Sequence, residues 1–154
     1  MYYIAYGSNL NLKQMNHRCP GATVAGKTTI NNHKLVFRGM DGNTHATVEL
    51  AEGYQVPVLV WKINKQHERT LDRYEGVPKY YTKEELVIKV NGEAHKALIY
   101  IMASGNELGC PNERYYSAIE EGYMATGFDL GVLEKALHES CYNSKYKEII
   151  KMKK

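Results

Sequence analysis

A chain of 154 residues, 44% hydrophobic and 24% charged, is the length of one domain and too apolar to be disordered. A net charge of +3 is too mild to argue for nucleic acid, and no apolar run approaches membrane-spanning length. Much of the charge excess sits in Lys145, Lys147, Lys151, Lys153 and Lys154, so residues 142–154 read as a solvated basic tail and residues 1–141 as the domain.

In chain order, Tyr2 to Tyr6 is a short apolar run that stops at Gly7, the pattern of a buried first strand. Asn11 to His17 predicts one or two helical turns, ended before Pro20-Gly21. Four strands are predicted next, at Thr23 to Ile30, Lys34 to Arg38, His45 to Leu50 and Val56 to Ile63, each set off by Gly, Asn, Asp or Pro. Asn64 to Tyr74 changes period: Asn64 can cap, and His67, Leu71 and Tyr74 share a helical face. Tyr81 to Val90 and Ala94 to Met102 flank Asn91-Gly92, the pair that a tight hairpin favours because both central residues take positive φ. Pro111-Asn112 opens a helix to about Thr126 that Gly127 can stop, and Asp129 caps a last helix with Leu130, Leu133 and Leu137 on one face. Strands early and helices late predict an α+β class on a mostly antiparallel scaffold.

Three stretches can carry chemistry. In Tyr6-Gly7-Ser8-Asn9-Leu10 a strand runs into a turn whose backbone N–H groups can converge on a carboxylate or an oxyanion. The same letters also fit an ordinary turn with Ser8 or Asn9 as an N-cap. Glu75 stands at a helix end, between Tyr74 and the Gly76-Val77-Pro78 turn. In water it is one more surface carboxylate; walled by Tyr74, Val77 or Tyr81, its pKa should rise toward neutrality. Tyr115, four residues before Ile119 on one helical face, is a core aromatic or a hydroxyl aimed at a ligand. Thirteen tyrosines against two phenylalanines suit a lined cleft, though surface strands use tyrosine too.

Other schemes find little support. No serine sits in a Gly-x-Ser-x-Gly elbow, the six histidines show no zinc-ligand spacing, and no phosphate loop is present. Cys19, Cys110 and Cys141 match no metal motif, and so odd and sparse a set suits a reduced cytosolic protein better than a disulfide scaffold. Met1 to Ala5 shows no basic leader before an apolar stretch, so no signal peptide is expected and the expected compartment is the cytoplasm.

Taken in order, these motifs resemble the γ-glutamylcyclotransferase-like family over roughly residues 1–137. The resemblance is carried by Tyr6 through Leu10, Arg18-Cys19-Pro20-Gly21-Ala22, Val60-Trp61-Lys62-Ile63, Leu71-Asp72, Tyr74 through Pro78 with Tyr81, and the Pro111, Tyr115, Ile119, Gly122 pattern. It implies a compact mixed α+β domain around a small β-barrel with short flanking helices. It implies Glu75 as the catalytic acid/base, with Tyr6, Gly7, Ser8, Asn9, Leu10 and Tyr115 binding the substrate. Asn9 is similar to the general or amine-directed branches rather than the glutathione-specific one. The reaction implied closes a five-membered ring: the substrate's α-amine attacks its own γ-carbonyl, giving 5-oxoproline and a free amine. Such chemistry calls for no metal and no organic cofactor. The expected partner is a small γ-glutamyl substrate, with no nucleic acid and no membrane, in a monomer or homodimer. Met40 to Asn43 and Ala103 to Cys110 are the loops expected to meet the leaving group. A non-catalytic small-molecule binding module on the same fold is the alternative, and retention of Glu75 argues against it.

Overall fold

The computed structural model describes residues 1–40 and 43–141, so the basic tail expected at 142–154, together with Asp41 and Gly42, lies outside the described residues. Among the described residues five strands form one sheet: β1 (Tyr2–Ala5), β2 (Thr23–Met40), β3 (Asn43–Lys62), β4 (Tyr81–Val90) and β5 (Glu93–Met102). The helices are α1 (Leu12–Arg18), α2 (Lys65–Glu75), α3 (Glu113–Thr126) and α4 (Leu130–Cys141), and a 3-10 turn spans Ser8–Leu10.

The sheet order is β2-β3-β1-β5-β4. The short apolar β1 takes the centre, antiparallel to β3 and parallel to β5, which is why its run carries no polar alternation. The edge strand β4 carries Lys83, Glu84, Glu85 and Lys89, charges that discourage a further strand from adding. The sheet is open. The expected α+β class is the one observed, and 'barrel' describes its sheet only loosely, because β2 and β4 each end the order without pairing to one another.

The four strands predicted between Thr23 and Ile63 are two long ones. The Asn31-Asn32 break is absorbed within β2, where Asn32 takes φ 56° and the register shifts between Asn31 and His33. The Gly53 break opposite is absorbed in β3, and its N–H donates to Asn32 Oδ1 at 3.1 Å. Turn letters here mark a bulge that bends a strand, not its end. The Asn91-Gly92 hairpin has the expected form, with φ 53° and 82°.

The core covers both faces of the central strands: Val56, Val58 and Val60 are fully buried with Ile4, and Leu59, Trp61, Tyr3 and Ala5, which point the other way, are buried too. At α4, Ser140 Oγ accepts the Phe37 N–H at 2.9 Å. At α3, a Cβ on Gly122 would come within 2.7 Å of Leu10, so only glycine lets the helix lie this close to the 3-10 turn. Cys110 is joined to Cys141 with a Cα separation of 5.0 Å, while Cys19 is free and buried. This corrects the expectation of a wholly reduced set: α3 and α4 fold back on each other and return the chain to Cys110, which sequence spacing does not reveal. No described helix is long and apolar enough to cross a membrane.

Candidate active site

Beyond the end of β1 the backbone turns at once. Leu10 N–H bonds to Gly7 O and Asn11 N–H to Ser8 O, both at 3.0 Å, closing the 3-10 turn. The first N–H groups of such a turn have no partner within it. Among the described residues none accepts from the N–H of Gly7, Ser8 or Asn9. Gly7, Ser8 and Asn9 line a cleft of about 420 Å³.

Side chains brace this turn from several sides. Asn9 Nδ2 donates to the Tyr3 hydroxyl at 2.8 Å, its Oδ1 accepts from Arg18, and its backbone oxygen accepts from Trp61 Nε1 at 3.1 Å. Asn9 is therefore occupied as a brace. Ser8 Oγ shares a hydrogen with the Tyr74 hydroxyl at 3.2 Å. Tyr6 donates to the backbone oxygen of Tyr100. Leu10, expected beside the substrate, does not line the cleft: it is fully buried beneath Gly122 and anchors the turn to α3. Its apolar side chain follows the 3-10 twist to the core face.

Glu75 is the last residue of α2, which starts from an Asn64 capping box and stops at Gly76 in the left-handed region with φ 68°. A Cβ on Gly76 would lie 2.5 Å from Tyr80, a second reason for glycine at that stop. The Glu75 carboxyl is half-buried and lines the cleft, and no hydrogen-bond donor reaches it among the described residues. Burial pushes its pKa up to about 7, with the Arg18 guanidinium pulling the other way. The wall around it is largely phenolic: Tyr3, Tyr6, Tyr74, Tyr80, Tyr81, Tyr100 and Tyr115 all line the cleft. This is where the tyrosine excess goes.

Tyr115 stands in the first turn of α3, capped by Asn112, whose Oδ1 accepts the Tyr115 N–H at 2.8 Å. Its hydroxyl oxygen accepts the Ala46 N–H at 3.0 Å, which leaves the O–H free to donate into the cleft. Burial raises its pKa, so it stays a neutral donor. His45 meets the Tyr115 ring edge-on at 4.9 Å, and burial lowers its pKa. Tyr81 closes the floor by donating to Ala46 O at 2.7 Å.

The structure thus brings Tyr6, Gly7, Ser8, Asn9, Glu75 and Tyr115 to one cleft. Of the loops expected to meet a leaving group, Asn43 and Asn106 reach it. Sequence reasoning did not assign Tyr3, His45 and Tyr100 to the site, nor Arg18 to its bracing. They come from separate elements, and no local spacing joins them. Among the described residues no three His, Cys, Asp or Glu side chains stand close enough to hold a metal ion.

Comparison with known proteins accords with this arrangement. A family model described as "Gamma-glutamyl cyclotransferase, AIG2-like" matches residues 3–123, a span that holds every cleft residue named above. Gamma-glutamylcyclotransferase of Homo sapiens is 31% identical over 159 residues, covering 96% of this chain and 84% of that protein. The Bos taurus protein of the same name is 29% identical with the same coverage. A solved structure titled "Gamma-glutamyl cyclotransferase" superposes with a TM-score of 0.78 at 28% identity, covering 88% of this chain and 85% of its own. YkqA from Bacillus subtilis, at 19% identity and TM-score 0.74, covers 91% of this chain and 54% of its own and shares the fold.

Proposed function

The chain belongs to the γ-glutamyl cyclotransferase, AIG2-like family, and we propose that it cyclises small γ-glutamyl compounds with Glu75 as the proton carrier. The observation that carries this reading is the Glu75 carboxyl, half-buried and raised to about 7, in a cleft it shares with the Gly7, Ser8 and Asn9 N–H groups; among the described residues neither the carboxyl nor these N–H groups has a hydrogen-bond partner.

The substrate brings its own nucleophile. The cleft therefore has to fold the γ-glutamyl head so that the α-nitrogen meets the γ-carbonyl, a proximity effect. As the N–C bond of the ring forms, the carbonyl oxygen becomes an oxyanion. The N–H groups of Gly7, Ser8 and Asn9 are suited to such a charge, and the Tyr115 O–H is suited to the substrate carboxylate. Glu75 takes a proton from the attacking nitrogen and returns it to the leaving amine as the old C–N bond breaks. A carboxyl with a pKa near 7 performs both halves near neutral pH. The reaction is an intramolecular acyl transfer that releases an amine and consumes no water. In class it lies between a lyase and an acyltransferase.

The test is a panel of γ-glutamyl amino acids and γ-glutamyl amines, with the product identified by mass. The expected product is 5-oxoproline. N-acetylating the γ-glutamyl head should stop turnover, whereas changing the leaving amine should grade it. Glutamate as the direct product, heavier by one water, would show an amidase and sink the cyclisation.

A further inference from the structure

We propose that Arg18 is a positioning residue of this enzyme: its guanidinium clamps the Gly7–Leu10 turn onto the Tyr74–Glu75 end of α2 and so sets how the carboxyl and the turn meet the substrate. The inference rests on the reading of Glu75 as the proton carrier.

Arg18 closes α1 and binds three elements at once. Its plane lies over the Tyr74 ring, with Cζ 3.7 Å from the ring centre, and Tyr74 is the immediate neighbour of Glu75. One edge of the same group donates to Asn9 Oδ1, with a longer contact to Ser8 Oγ at 3.4 Å. The other edge donates to Gln14 Oε1 at 2.9 Å, one turn back along α1, which fixes the side chain's own direction. Tyr74 returns to the turn through its hydroxyl, 3.2 Å from Ser8 Oγ. Turn, α1 and α2 therefore form a closed ring of contacts with the guanidinium at its centre. A planar fork that stacks and donates along two edges is what this ring needs, and lysine has neither property.

The clamp also carries charge. The groups that feel the charge of Glu75 are phenols: Tyr3 from β1, Tyr6 from the turn, Tyr81 from β4 and Tyr115 from α3. Tyr74 adjoins it on α2, and His45 of β3 lines the same cleft. Burial keeps the four phenols protonated and lowers His45. Arg18 is the group whose positive charge opposes the effect of burial on Glu75.

The test compares wild type with Arg18→Lys and Arg18→Met, each checked for folding by thermal melting. Two quantities are read: the carbon-13 titration of the Glu75 carboxyl without substrate, assigned with Glu75→Gln, and the pH dependence of 5-oxoproline release. In Arg18→Met the carboxyl midpoint and the acid limb of the rate profile should both move to higher pH. The plateau rate should fall about 10- to 100-fold, the scale of a small misplacement of reacting groups. Arg18→Lys should keep the midpoint near wild type while recovering only part of the rate. If the Met variant does not fold, Arg18→Gln supplies the same readouts. An unmoved midpoint in a folded neutral variant overturns the proposal, as does a wild-type rate in both substitutions. Wild-type protein that yields no 5-oxoproline at any pH fails the proton-carrier reading instead, and the substrate-free titration still decides this one.

Discussion

The last turn of α2 has two sides, and each carries a carboxylate. Asp72, three residues before Glu75, receives the Lys83 ammonium at 2.9 Å and the Tyr100 hydroxyl at 2.6 Å. The same ammonium reaches Glu68 at 2.9 Å, so that side is a small ion-pair network. Glu75 has no such donor among the described residues and is walled by tyrosines. The negative end of the helix dipole at its position disfavours the ionised form, in the same direction as burial. One helix thus carries one carboxylate held by an ion pair and a phenol, and one carboxyl whose pKa burial raises to about 7. The difference lies in the partners that other elements bring, not in the residue type.

The largest break in this comparison is Glu75→Gln. The amide keeps the shape and cannot carry the proton, so 5-oxoproline release should fall by about 10²–10⁴-fold while the fold and substrate binding persist. A folded variant with the wild-type rate would move the proton transfer elsewhere. Asp72→Asn should have a smaller effect. It weakens the Lys83 pair and the hold on Tyr100, at a cost of about 1 kcal/mol in stability, with a few-fold loss of rate through the Tyr100 wall. If Asp72→Asn were as damaging to turnover as Glu75→Gln, the two sides of the turn would not be distinct.

Much of this was legible in the sequence because it depends on local chemistry. The Asn64 and Asn112 caps, the Gly76 and Gly127 stops and the Asn91-Gly92 hairpin each follow from what one residue does to its own backbone. Glu75 at a helix end, and the turn at Gly7 to Asn9, were legible for the same reason. What stayed hidden is what distant elements bring together. A bulge at Asn32 and a break at Asn43 are written in the same letters, and only the pairing tells them apart: Asn31 meets Gln55 and His33 meets Leu50, whereas Asn43 meets Met40. Leu10 reads as part of a binding motif, yet the 3-10 twist sends it under α3. Tyr115 reads first as a core aromatic and second as a hydroxyl aimed at a ligand; in the structure its oxygen accepts the Ala46 N–H and the residue lines the cleft.

The smallest expected effect is on stability, and it separates the two carboxylates by sign. The pKa of Glu75 is about 7 in the folded protein against an ordinary 4.5, so between these values the folded state holds a proton that the unfolded state has released. Stability must therefore decline as pH rises through that window, since the folded state binds more protons there. Below 4.5 both states are protonated and the residue contributes no such loss; above 7 the folded protein carries a buried charge in full. Glu75→Gln removes that charge. The melting temperature of the variant, relative to wild type, should be higher at pH 8 than at pH 4, by a few degrees at most because the carboxyl is only half-buried. Asp72→Asn should lower the melting temperature at pH 8, since it removes an ion pair. A Glu75→Gln difference that is flat across the window would mean that Glu75 ionises as a surface carboxylate does. The tyrosine wall would then not be what sets its chemistry.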